Sequence, residues 1–303
     1  ADIKIVGSVT TSDDGQGTLG FTRTATSTTL VSTTTGASGA ALLALNAGSA
    51  SGVRGTFGGD VYANTITLTG NSAAGIVKFS GNVVGNINMD ASGGQIIELA
   101  DGVNVTGNIT ATTDNVGKVT VMGTSTIDGS IDATGGTLLE VDIDAGAHLT
   151  LTGNNYATST LIAAGGTLVY SHATASLGNE IITCAAACTI DLGTASVAAT
   201  AVTYSTTGST LKVTIGTVDG TLTGTAAVTG HTGNTFIPTI VGSVVSGEYL
   251  VIITGNAQQV IPGTITDNYE RYTFTLVDET HASCAANKLC LVANVVAPAG
   301  VSG

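Results

Sequence analysis

The chain has 303 residues and carries 8 Lys and Arg against 21 Asp and Glu, a formal charge of −13 at neutral pH. That balance excludes a surface built to neutralise phosphates, so nucleic acid and anionic membranes are poor partners. Charged residues make up only 10% of the chain, aromatics 4%, Gly supplies 42 positions and Trp none. This composition argues against a helical enzyme core and for many strands joined by tight turns in a soluble protein. No apolar run approaches the ~18 residues of a membrane helix.

The sequence opens Ala1-Asp2-Ile3-Lys4, a start that fits a mature product after signal-peptide removal, with recombinant trimming as the alternative. Residues 1–57 are irregular and rich in Gly, Ser, Thr and Ala, with strand-like stretches at Ile3-Lys4-Ile5-Val6, Gly20-Phe21-Thr22 and Leu42-Leu43-Ala44-Leu45. They read as a β-rich N-terminal cap or assembly segment. Gly15-Gln16-Gly17-Thr18-Leu19-Gly20 nominally matches a dinucleotide fingerprint, but no strand–helix unit surrounds it and it reads as a turn-rich loop.

Internal periodicity dominates the next stretch. Asp60-Val61, Asn82-Val83, Asn104-Val105, Thr126-Ile127 and His148-Leu149 recur every 22 residues, with Ala63-Asn64, Gly85-Asn86, Gly107-Asn108 and Gly129-Ser130 in phase. A second track runs Val77-Lys78-Phe79, Ile97-Glu98-Leu99, Val119-Thr120-Val121 and Leu139-Glu140-Val141. Short period-2 segments at this spacing predict a parallel β-helix over 58–200. Coils stacked about 4.8 Å apart would place like residues over one another.

Asn64, Asn86 and Asn108 then form a polar ladder at a bend, Gly85, Gly107 and Gly129 supply its unusual backbone angles, and His148 is a ladder residue. Lys78, Glu98, Thr120 and Glu140 share one outward position, with Lys78 beside Glu98. At a constant 22 residues per coil, the chain would form about fourteen coils, or roughly 65 Å of rod.

From residue 160 the repeat loosens while strand-like stretches continue at 160–162, 166–169, 210–215, 249–253, 272–276 and 289–292. Residues 201–303, which hold Pro238, Pro262 and Pro298, read as a separate β-rich C-terminal segment. Cys184, Cys188, Cys284 and Cys290 form two local pairs, expected as two disulfides that each close a short turn. A strand would hold residues four apart beyond the reach of the bridge, so 184–188 must bend back. A four-thiolate zinc site is the alternative, and its spacing is poor.

Gly81-Asn82-Val83-Val84-Gly85-Asn86-Ile87, the segment 99–109, Gly247-Glu248-Tyr249-Leu250-Val251-Ile252-Ile253 and Tyr269-Glu270-Arg271-Tyr272-Thr273-Phe274 resemble the passenger regions of rickettsial outer membrane proteins A and B. The resemblance is clearest over 58–170. It implies a secreted β-helix displayed on a bacterial autotransporter, with surface-layer and host-adhesion roles and no catalytic residues to carry over. The membrane β-barrel of an autotransporter has no counterpart among these residues.

Chemistry is sparse. Asp142 and Asp144 alternate on one strand, with Asp128 and Asp132 a coil earlier and Lys118 the nearest base. Paired carboxylates are what a glycan hydrolase needs, and clustered carboxylates with a base are what a calcium-dependent lyase needs. On an outer strand they more often serve solvation than catalysis, and incidental Ca²⁺ binding by Asp142 and Asp144 is an alternative of the same weight as the enzyme. His148, His172, His231 and His281 are scattered without metal spacing, and no Gly-x-Ser-x-Gly elbow occurs. Asn104-Val105-Thr106 and Asn108-Ile109-Thr110 fit the N-glycosylation pattern, although a bacterial origin would make them ordinary ladder residues.

The sequence therefore reads as a non-enzymatic secreted subunit that calls for no cofactor or metal. Its partners are other copies of itself, joined through the ends 1–57 and 201–303 into a surface layer or filament. The alternatives are an adhesin that binds a host receptor or glycan, with Tyr62 and Tyr156 as anchors, and a polysaccharide lyase or hydrolase.

Overall fold

A computed structural model describes residues 3–21, 29–49, 54–70, 75–89, 94–132, 138–172, 180–216, 219–229, 233–242, 247–255, 264–266 and 272–296. Every regular element among them is a β-strand, and no helix is long and apolar enough to cross a membrane. The strands stack in parallel as a β-solenoid of roughly 22 residues per coil. The chain divides into two units, Ala1–Leu161 and Ile162–Gly303. Composition places the expected segment boundaries at 57/58 and 200/201.

In the first unit the coils lend strands to two sheets, and Ile109–Ala111 also pairs with Val83–Met89, off the main path of the second sheet. One sheet stacks Ile3–Ile5, Thr29–Val31, Arg54–Phe57, Ile76–Phe79, Ile96–Leu99, Val116–Val121 and Leu138–Ile143 in that order. The other stacks Gln16–Phe21, Leu42–Ser49, Val61–Gly70, Val83–Met89, Asn104–Thr106, Thr124–Asp128 and His148–Leu151. Val83, Val105 and Ile127 are successive rungs of one wall, as the 22-residue step predicts. Inward side chains alternate with outward ones, as in Val116–Val121, where every second residue is buried.

The core is a set of columns. One runs Ile5, Val31, Phe57, Phe79, Leu99, Val121 and Ile143, with the rings of Phe57 and Phe79 stacked at 5.5 Å. Residues 1–57 thus enter the parallel ladder from Ile3 onward, and Gly15 to Gly20 overlap a strand, Gln16–Phe21, rather than a turn-rich loop. Paired backbone groups outweigh the turn propensity of the glycines there.

The corner at Gly85, Gly107 and Gly129 has φ of 139°, 140° and 152°. A Cβ on Gly107 would run into the Gly85 carbonyl and one on Gly129 into that of Gly107, so close coil stacking admits only glycine. At Ala63-Asn64 the register slips, because two residues there oppose Gly85 and Asn86 pairs with Thr65. Asn64 therefore stands in a bulge, off the rung of Asn86 and Asn108.

Two other alignments differ from the expected ones. Val119 pairs with Val141, so Glu140 lies beside Lys118, and Asp142 takes the place beside Thr120. Leu139 is left 48% exposed while Leu138 is buried. His148 pairs with Thr124, and Thr150 occupies the rung above Thr126, because this coil takes 24 residues.

The second unit continues the same plan. One sheet stacks Ile181–Cys184, Ser196–Tyr204, Thr221–Thr229 and Glu248–Thr254, and the other Thr167–Tyr170, Thr189–Asp191, Thr210–Gly216, Thr235–Val241 and Thr264–Ile265. Residues 201–303 thus begin as parallel coils and end differently. Glu248–Thr254 pairs antiparallel with Lys288–Val295, which pairs antiparallel with Tyr272–Val277. Pro238 lies in Thr235–Val241 beyond the two residues that pair with Thr264–Ile265, where its missing N–H costs no described ladder bond. Pro262, Pro298, His231, Ala1, Thr22 and 269–271 lie outside the described residues.

Coil length drifts at both ends. Register partners Ile3 and Thr29 are 26 residues apart, and Leu222 and Ile253 are 31 apart. The constant step behind the estimate of fourteen coils overcounts them for that reason.

Candidate functional site

The outer surface of the first unit offers one charged strip and one amide corner. On the strip, Lys78 is level with Glu98. Lys118 points its Nζ at Glu140 Oε1 and at Asp142 Oδ2, each 2.7 Å away. Burial pulls the Lys118 pKa down, but hydrogen bonds and charge from Asp142 and Glu140 outweigh it, and the net shift is upward. The ammonium is thus held charged, the opposite of what a lyase base needs. Asp142 and Glu140 are committed to it. Asp128 accepts the Thr152 hydroxyl at 2.7 Å. Among the described residues no three His, Cys, Asp or Glu side chains gather to hold a metal ion.

Asp132 differs from Glu140 and Asp142. It is buried, has φ of 60°, and accepts the backbone N–H of Ala111 at 2.8 Å and that of Leu138. Its carboxylate therefore ties together segments from two neighbouring coils. Burial pushes its pKa up to about 6; the two N–H donors oppose that rise and the charge of Asp114 adds to it. Asn155, also fully buried, extends the polar corner by donating to Thr160 Oγ1 at 3.1 Å.

At the amide corner, Asn86 Oδ1 accepts the Asn108 N–H at 2.9 Å, and Asn108 Oδ1 accepts the Ser130 N–H at 2.8 Å. A second ladder runs from Asp60 to Asn82 to Asn104, each Oδ1 accepting the next backbone N–H at 2.8 and 3.0 Å. It stops there, since the Thr126 N–H goes to the Val103 carbonyl. His148 Nε2 lies 3.3 Å from Thr150 Oγ1. Tyr156 accepts from Asn154 at 3.0 Å, and Tyr62 is half-buried.

The first coil is unlike those that follow. Ile5, Val9, Leu19 and Phe21 are only half-buried, and Val6 is 75% exposed. Their column partners Val31 and Leu45 are fully buried. Ile3–Ile5 and Gln16–Phe21 each begin their sheet, with a strand partner on one side only among the described residues.

In the second unit the cysteines form two disulfides, Cys184–Cys188 and Cys284–Cys290, with Cα separations of 5.7 and 5.9 Å. This overturns the zinc alternative. The disulfides fit an oxidising, non-cytoplasmic location. A buried ladder adjoins the first of them: Cys188 N–H donates to Ser209 Oγ at 3.2 Å, and Ser209 N–H donates to Asn234 Oδ1 at 3.0 Å. Sequence reasoning missed Ser209 and Asn234, whose 25-residue separation falls outside the repeat. Tyr170 is buried, and that burial, with Glu180 adding, raises its pKa well above the ordinary value. His281 accepts the Ser283 N–H at 3.3 Å within a tight loop.

No protein-family model, no curated protein and no solved structure matches this chain.

Proposed function

We propose that the chain is a non-enzymatic, extracellular β-solenoid subunit that associates with copies of itself in a surface layer or filament. The observation that carries this reading is the first coil. It leaves the end of the apolar columns half-exposed at Ile5, Val9, Leu19 and Phe21, beside two strand edges with described partners on one side only. Such an edge is a template for another strand, and a coil of a second copy brings the matching spacing and apolar content. The disulfides support passage outside the cytoplasm. The engagement of Glu140 and Asp142 by Lys118 supports a structural strip over a catalytic pair. The same coil plan suits the resemblance to autotransporter passengers.

Light scattering of the purified chain over a wide concentration range tests the reading. Particle mass is expected to rise with concentration. A single monomeric mass throughout rejects self-association.

A further inference from the structure

Two sequons lie four residues apart, and their surroundings differ. Asn104 and Thr106 both face solvent on the strand Asn104–Thr106, with Val105 buried between them. The Asn104 backbone N–H is taken by Asn82 Oδ1 at 3.0 Å, but no described group bonds its side-chain amide, because the ladder ends there. The Asn108 amide is instead fixed in place, its Oδ1 accepting the Ser130 N–H at 2.8 Å. The two disulfides are an independent indication that the chain folds in an oxidising compartment, where N-linked transfer also takes place.

We propose that Asn104, within Asn104-Val105-Thr106, is an N-glycan acceptor and that Asn108 is left bare. The donor class is an oligosaccharide carried on a lipid phosphate and delivered by a membrane oligosaccharide transferase. Asn104 Nδ2 forms a bond to the anomeric carbon, the bond from that carbon to the phosphate oxygen breaks, the amide gives up one proton, and the lipid phosphate leaves. No electrons are exchanged with an outside oxidant. The modification fits the last amide of the ladder because Asn104 Oδ1 accepts no described rung bond, so the exposed side chain can turn to present Nδ2 to solvent. It depends on the compartment and not on self-association.

The test is to secrete the full chain from a eukaryotic cell and map its peptides by mass spectrometry before and after amidase treatment. One glycan is expected on the peptide bearing Asn104. It should be lost in Asn104→Gln and in Thr106→Val, which leaves Asn104 in place, and kept in Thr106→Ser and Asn108→Gln. Intact disulfides in each variant show that the chain has folded. A glycan-free wild type overturns the proposal, as does a glycan on Asn108, alone or together with Asn104.

Discussion

The two units solve the same problem, holding a corner of a stacked coil, in different ways. In the first, exposed amides and carboxylates bond the backbone one coil on, at Asp60 to Asn82 and at Asn86 to Asn108, beside glycines with positive φ. In the second, a disulfide between Cys184 and Cys188 stands next to the buried ladder through Ser209 and Asn234. Where the step holds at 22 residues, identical residues meet and an amide can repeat. The bridge does not follow coil length, since the coils beside it step by 22 and 21 residues, from Thr167 to Thr189 to Thr210, and by 20, from Ile181 to Ala201. Where the step widens to 25, from Thr210 to Thr235, the buried contact of Ser209 with Asn234 spans it.

The sharpest way to break this contrast is at the glycine corner. Gly107→Ala puts a Cβ against the Gly85 backbone at φ of 140° and should cost about 4 kcal/mol in urea unfolding of the first unit, combining backbone strain with overpacking. Gly102→Ala, at φ of 79° with open space around it, should cost only about 1 kcal/mol. Equal losses would mean that coil contact does not select glycine.

Asp132 should give the next largest effect. Its folded pKa of about 6 lies above the ordinary 3.8. Its contribution is therefore fully present below the unfolded pKa and is lost as pH rises through the folded one. Relative to Asp132→Asn, wild-type stability should fall by about 3 kcal/mol across that window. Urea titrations on both sides of it check this, and parallel curves for the two proteins would contradict it.

Removing the bridge with Cys184→Ala and Cys188→Ala should destabilise the second unit by about 2 kcal/mol and leave hydrogen exchange in 76–143 unchanged. Protection lost equally in both units would erase the distinction. The smallest effect belongs to the exposed ladder. Asn108→Ala should cost about 1 kcal/mol, and Asn64→Ala, in the bulge, close to nothing. A thermal-melt comparison separates the two.

The repeat was legible in the sequence because stacking forces like residues into columns, and Val83, Val105 and Ile127 could be aligned by counting. The same counting misaligned Leu139 with Val119, because 20-residue and 22-residue steps alternate only where the loops allow it, and Leu138 and Leu139 are equally apolar. It also put Asn64 on the ladder, since a bulge adds a residue without changing composition. The Lys118 contacts, the Asp132 clamp and the Ser209–Asn234 ladder were hidden for the same reason: each depends on register across coils of unequal length. The disulfides were readable because chain geometry alone demands a bend between Cys184 and Cys188.

The most direct test of the account is electron microscopy of the wild-type chain beside a Leu19→Glu, Phe21→Glu variant, which charges the half-exposed first coil where it meets Leu45 and Phe57, with intact disulfides as the check that the variant has folded. The account predicts assemblies in the wild type and separate particles in the variant. Separate particles in both, or assemblies in both, would contradict it.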